Sequence, residues 1–229
     1  MPTKRSDPLG VTADQISAAQ TMWRSLPEDW HYADQVLAMA KQAFPSNTDR
    51  DSAWLKVPLL DSLYRTNVHF YLSHVVNRVV EVFGKMSNHT SQDIVVELAK
   101  EVQVKKKSYR PMVFASKYVH FFHDDSSPMI DWYAAFALAC HFRELKPEAR
   151  IKKWKENYYG YCDAIDQLKE MSAISPTARD LDHYLWLAGN WVWFKKKGQK
   201  AKINKGLLAF FSLELNVVRA NATFGALLG

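Results

Sequence analysis

The sequence predicts an all-α protein. Apolar residues recur at helical spacing nearly throughout, glycine (8) and proline (9) are scarce in 229 residues, and a parallel sheet is hard to place anywhere. Hydrophobic residues make up 48% of the chain, which excludes a disordered class and suits one domain or two small lobes sharing a core.

Each element has a local reason. Residues 1–11 read as a loose tail, and a helix is expected after Thr12. DQVLAMAKQAF (34–44) is a second helix and PSNTDRDS (45–52) a loop. VPLLDSLYRTNVHFYLSHVVNRVVEVFG (57–84) carries a long apolar stripe with a possible break near Thr66-Asn67. Ser91 can cap a helix over SQDIVVELAKEV (91–102), and KKKSYRP (105–111) is a polar connector. Helices follow over 112–123 and 131–143, separated by a loop. Pro147 can start a helix running to about 171, another spans 177–194, and a last one follows the basic segment KKKGQKAKINKG (195–206). The expected organisation is a flexible tail over 1–11 and a single helical domain over 12–229.

The net charge of +6 favours an anionic partner without naming it. Cys140 and Cys162 form no CxxC pair and no zinc or iron–sulfur spacing, so two buried thiols of a cytoplasmic protein are expected. No segment approaches the roughly 20 apolar residues of a membrane span, and the N-terminus has no apolar signal core. No Walker loop, GxSxG or HExxH is present.

The most informative stretch is VFASKYVHFFHDDSS (113–127). On a helix over 112–123, Ser116, His120 and His123 make a polar stripe, and Lys117 falls at its boundary with Phe114, Tyr118, Val119, Phe121 and Phe122. An amine held against such surfaces loses hydration, which lowers its pKa and makes it a better nucleophile; the alternative is a lysine whose stem lies on apolar surface and whose head stays in water. Asp131 stands at the head of WYAAFALACHF, where a carboxylate caps free N–H groups. A helix, a short loop and a second helix can bring the amine and the carboxylate to one cleft.

SQDIVVELAKEV, KKKSYRP and FASK together resemble the helix–hairpin–helix unit of the helix-hairpin-helix DNA glycosylase superfamily. There a catalytic lysine lies just past the hairpin and a catalytic aspartate heads a later helix, often in a Pro-Val-Asp context, to which Pro128-Met129-Ile130-Asp131 is similar with one residue more. The nearest likeness is to the archaeal 8-oxoguanine glycosylase branch, whose lysine also sits in a Phe-Ala-x-Lys run. The resemblance gives Lys117 the nucleophile position and Asp131 the carboxylate position. It puts the flipped base against Phe121, and places Asp182 and Trp186 of LDHYLWLAGNW (181–191) in the base pocket, four apart on one helical face. Asn67 is a further base-reading candidate.

The family's hairpin carries glycines that hold DNA phosphates; KKKSYRP has none, and Lys105, Lys106, Lys107 and Arg110 could supply charge instead. The segment 195–205 carries six lysines, so Lys195, Lys196 and Lys197 read either as phosphate contacts or as a solvated loop. KKWK (152–155) reads as an exposed helix start. HFFHDD (120–125) has two histidines three apart but no third metal ligand of fixed spacing.

The resemblance implies a two-lobed helical glycosylase-like fold and a monomer that removes a modified base from duplex DNA, with no cofactor. The base is 8-oxoguanine or a hypermodified phage base such as glucosylated hydroxymethylcytosine, the latter fitting members of this fold that act in phage defence. Lysine attack implies a Schiff base and strand cleavage; without it, water leaves an abasic site. The alternatives are a non-catalytic helical DNA-binding or adaptor protein on the same fold, or a helical RNA-binding protein.

Overall fold

The computed structural model of the chain describes residues 7–86, 88–104, 107–198 and 203–228. Among them it has twelve α-helices and one two-stranded antiparallel hairpin, so the protein is all-α apart from that hairpin. The chain divides into two compact units, one of Glu28–Ile130 and one of Met1–Pro27 with Asp131–Gly229.

The first unit holds α2 (Asp29–Ala43), α3 (Arg50–Tyr64), α4 (Leu72–Lys85), α5 (Ser91–Leu98), the strands β1 (Val102–Val104) and β2 (Lys107–Tyr109), and α6 (Met112–Phe122). Helix α2 starts five residues earlier than expected, and α3 starts inside the expected loop because the Asp49 carboxylate accepts from the Ser52 N–H at 2.8 Å. The long stripe over 57–84 breaks where foreseen. Arg65 and Asn67 take left-handed φ values of 49° and 63°. The buried Asp61 carboxylate collects the turn that follows: it accepts from Thr66 Oγ1 (2.7 Å), from the Val68 and His69 N–H groups (3.1 Å each) and from His69 Nδ1 (3.0 Å). Burial alone would raise this carboxyl; the donors of Thr66, Val68 and His69 outweigh it and hold the group below its usual range.

Two expectations fail between 91 and 111. Thr90, not Ser91, is the cap, in a reciprocal pair with Asp93, and the helix ends at Leu98 instead of 102. Val102–Val104 and Lys107–Tyr109 then pair as antiparallel strands, Val102 with Tyr109 and Val104 with Lys107. Tyr109 stacks on Tyr71 (4.8 Å between centroids), which gives so short a ladder an apolar anchor.

Helix α6 is the core of this unit. Phe114, Ala115, Tyr118, Val119 and Phe122 are buried, and so are Ser116 and His120 of the supposed polar stripe. Ser116 Oγ accepts from the Ile130 N–H at 3.1 Å, and His120 Nδ1 donates to the Ser127 carbonyl at 3.0 Å. These two bonds pin the loop that leads to Asp131.

Lys56 is the other buried amine here, 0% exposed. Its ammonium donates to the Ser46 carbonyl and to Asn47 Oδ1, both at 2.9 Å, and lies 5.3 Å from the Phe122 ring centre. Burial, with repulsion from Lys41, pulls it down to about 8. The folded state therefore binds the proton more weakly than the unfolded chain, and stability rises as pH climbs from about 8 to the unfolded value near 10.5. Relative to Lys56→Met, the wild type should gain up to about 3 kcal/mol over that window. Denaturant melts of both proteins at pH 8 and pH 10.5 check this; parallel behaviour would count against a buried charged amine.

The second unit holds α1 (Ala13–Arg24), α7 (Trp132–His141), α8 (Pro147–Glu156), α9 (Tyr158–Ser172), α10 (Ala178–Lys197), α11 (Lys205–Ser212) and α12 (Glu214–Phe224). The helix expected over 147–171 is two, because Asn157 leaves helical geometry and caps α9 through Gly160 N–H. Helix α7 is lined with Ala134, Ala135, Ala137 and Ala139, all 0% exposed, and α10 packs on it closely enough that a Cβ on Gly189 would stand 2.0 Å from the Tyr133 carbonyl oxygen. Helix α1 lies against α10 and α12. The tail is not loose over its described part: the Leu9 N–H donates to the His141 carbonyl and His141 Nδ1 donates back to the Leu9 carbonyl, both at 2.8 Å, while Val11 is buried. The rest of that expected tail, residues 1–6, lies outside the described residues. Both cysteines are buried and unbridged, and burial pushes the Cys162 thiol up to about 12. No helix among the described residues is long and apolar enough to cross a membrane.

Candidate active site

Lys117 is buried at 4% exposure rather than standing at a wet boundary. Its Nζ lies 4.7 Å from the centre of the Tyr64 ring, a cation–π seat. Phe121, one turn later, packs on the same ring at 5.1 Å, and the Tyr64 hydroxyl donates to the Asp34 carboxylate. Thus α6 supplies the amine and the aromatic candidate, the last residue of α3 supplies the platform, and α2 supplies the carboxylate that orients it. Tyr64 and Asp34 were not singled out from the sequence. Tyr64 was visible as part of an apolar stripe, and nothing local reveals that its hydroxyl turns toward a carboxylate thirty residues away.

Asp131 is the N-cap of α7, with Oδ1 accepting from the Ala134 N–H at 2.8 Å. Asp182 is buried and bonded to Arg179 at 3.0 Å. The two carboxylates share a neighbour. Tyr161, fully buried in α9, has its phenol pushed well above the usual range, first by burial and then by the negative charges of Asp182 and Asp131. Lys155 feels Asp131 as well: burial pulls its amine down, and the carboxylate pushes it back up. It is half-buried in the last turn of α8, so the reading of KKWK as an exposed helix start does not hold for it. Trp186 packs edge-on against Trp23 (5.7 Å), and Trp23 in turn stacks on His183 (3.8 Å). His183 and Trp186 thus meet Trp23 of α1, while Asp182 pairs with Arg179 and acts on Tyr161 of α9.

Lys117, Phe121 and Asn67 belong to the unit 28–130, and Asp131, Asp182 and Trp186 to the other. Asn67 is exposed in the left-handed turn, its amide donating to the Arg65 carbonyl at 3.1 Å. Arg110 is exposed at the end of β2; Lys105, Lys106 and the Lys107 side chain lie outside the described residues. Lys195, Lys196 and Lys197 are exposed but form the last turn of α10, not a loop.

A family model described as an N-terminal domain matches residues 15–126, which is 112 of the 229 residues. The match takes in α1 to α6 with Lys117 and stops short of Asp131. No curated protein and no solved structure matches the chain.

HFFHDD is occupied otherwise. His120 holds the Ser127 carbonyl, and Asp124 accepts from Ser91 and Ser126 hydroxyls. Among the described residues no group of three histidine, cysteine or acidic side chains could hold a metal.

Proposed function

We propose that this chain is a DNA glycosylase of the helix-hairpin-helix kind, cleaving the N-glycosidic bond of a modified base flipped out of duplex DNA. The observation that carries the reading is the seat of Lys117: an amine almost wholly removed from water, fixed over Tyr64, with Phe121 against the same ring. Lys56, the other buried amine, is held by the Ser46 carbonyl and Asn47 Oδ1, whereas Lys117 stands over an aromatic ring shared with Phe121, an arrangement suited to attack beside a base held against that face. The order α5, hairpin, α6 and the carboxylate at the head of α7 add support, as does the basic net charge.

In this reading the base departs with the glycosidic electron pair as C1′ takes on oxocarbenium character, which Asp131 stabilises. The Lys117 amine gives up a proton and adds its lone pair to C1′; ring opening gives a Schiff base, from which elimination can cut the strand. The resemblance assigns Phe121, Asp182 and Trp186 to the flipped base, and Arg110 with the hairpin lysines would meet phosphates. The substrate is 8-oxoguanine or a hypermodified base such as glucosylated hydroxymethylcytosine.

The test is base release. The protein is incubated with plain duplex, 8-oxoguanine duplex and glucosyl-hydroxymethylated DNA, free bases are read by mass spectrometry, and borohydride traps any Schiff base. Release from a modified substrate with a trapped adduct on Lys117 is the expected result. Tight duplex binding with no release from any substrate favours the non-catalytic DNA-binding reading.

A further inference from the structure

The C-terminal turn of α10 carries three lysines whose heads rest on aromatic rings. Lys197 Nζ lies 5.0 Å from the Trp193 ring centre, Lys196 Nζ 5.7 Å from that of Phe136, and Lys195 Nζ 5.3 Å from that of Trp191. Phe136 and Trp193 touch at 5.4 Å, and Trp132, the first residue of α7, lies parallel to Phe136 (5.1 Å) and edge-on to Trp193 (4.6 Å). The ledge therefore runs, within one unit, from the residue after Asp131 to a row of exposed ammonium groups.

Their seats on rings set these lysines apart from surface lysines such as Lys85 and Lys100, which pair with Glu81 and Glu97 instead. A long flexible side chain also loses rotamer freedom when its head is seated on a ring, so the cost of ordering it for a ligand is met in advance. Offsetting the negative end of α10 would account for lysines at this turn, but it does not need the rings.

We infer that this row is a preformed phosphate clamp for a DNA strand, holding the backbone on the Asp131 side of the reacting nucleotide. The inference rests on the DNA-binding part of the reading above, and goes beyond it in assigning a strand-holding surface to α7 and α10. The ring faces are covered by amines, so the contact is to phosphates and carries little sequence preference.

The experiment is duplex affinity as a function of salt, by fluorescence anisotropy, for the wild type, Lys196→Ala/Lys197→Ala and the charge-matched control Lys85→Ala/Lys169→Ala. Two lost phosphate contacts should flatten the slope of log K against log salt by about 1.8, at roughly 0.9 per contact, while the control keeps the wild-type slope. Melting curves verify that both variants fold; a double variant that fails to fold is replaced by Lys196→Gln/Lys197→Gln, which keeps the stems on the rings. Equal slopes in all three proteins overturn the clamp and leave the glycosylase reading standing. Absence of duplex binding in the wild type overturns both.

Discussion

Lys117→Ala should abolish base release, by about a thousandfold or more, while duplex affinity stays within about threefold of wild type. The reasoning separates chemistry from architecture. Removing the amine deletes the nucleophile; removing the stem also leaves a gap beside Tyr64 and Phe121 in a site only 4% exposed. Lys117→Met fills that gap without the amine, so it should melt close to wild type and still release nothing. Asp131→Asn makes the matching cut on the other unit. Asparagine caps a helix about as well as aspartate, so α7 keeps its start, and only the charge is lost. A loss of about a hundredfold in release is expected, from a carboxylate no longer present to balance developing positive charge. Melting curves, anisotropy and single-turnover release on the same samples decide the matter. Full release by Lys117→Met would remove lysine from the mechanism; unfolding of Lys117→Met together with Asp131→Asn would make both residues structural.

Gly189→Ala carries the largest expected effect on stability. Alanine normally improves a helix interior over glycine by about 1 kcal/mol. Here the new Cβ would meet the Tyr133 carbonyl oxygen at 2.0 Å and its carbon at 2.6 Å, both backbone atoms in the first turn of α7, which packs on α10. They cannot step aside without parting two helices, so a loss of about 4 kcal/mol or more is expected, a large share of what a domain has. Gly84→Ala is the matched opposite: also helical, exposed, and with nothing within 4 Å of the added carbon. It should stabilise by up to about 1 kcal/mol. Thermal melts of the pair read the contrast directly, and two variants shifting the same way would contradict the close approach.

The helices were legible where one principle decided them. Thr12 caps α1, the stripe over 57–84 broke at Thr66-Asn67, and Asp131 caps α7, all from residue type and spacing. Failures arose where a second residue decided the outcome. The Thr90–Asp93 pair moved a helix start by one position, and Asn157 ended one helix and opened the next. Three-residue strands are too short to show alternation, so the hairpin could not be told from a polar connector. Among the candidates, Lys117 and Asp131 were picked out by residue type and spacing and Phe121, Asp182 and Trp186 by the resemblance, but the partners of these residues were not. Tyr64, Asp34 and Tyr161 come from distant elements, and the burial of Ser116 and His120 depends on a loop bonding back to them.

The interrupted sequence of the second unit has a consequence during synthesis. Residues 28–130 are contiguous, so a ribosome delivers everything that unit needs in one stretch. Helix α1 is made before them, yet its packing partners α10 and α12 are made after. For more than a hundred residues of elongation, Met22, Trp23 and Leu26, all buried in the finished protein, have no surface of their own unit to cover them. The nascent chain thus carries these three apolar side chains uncovered by their own unit until α10 and α12 are made.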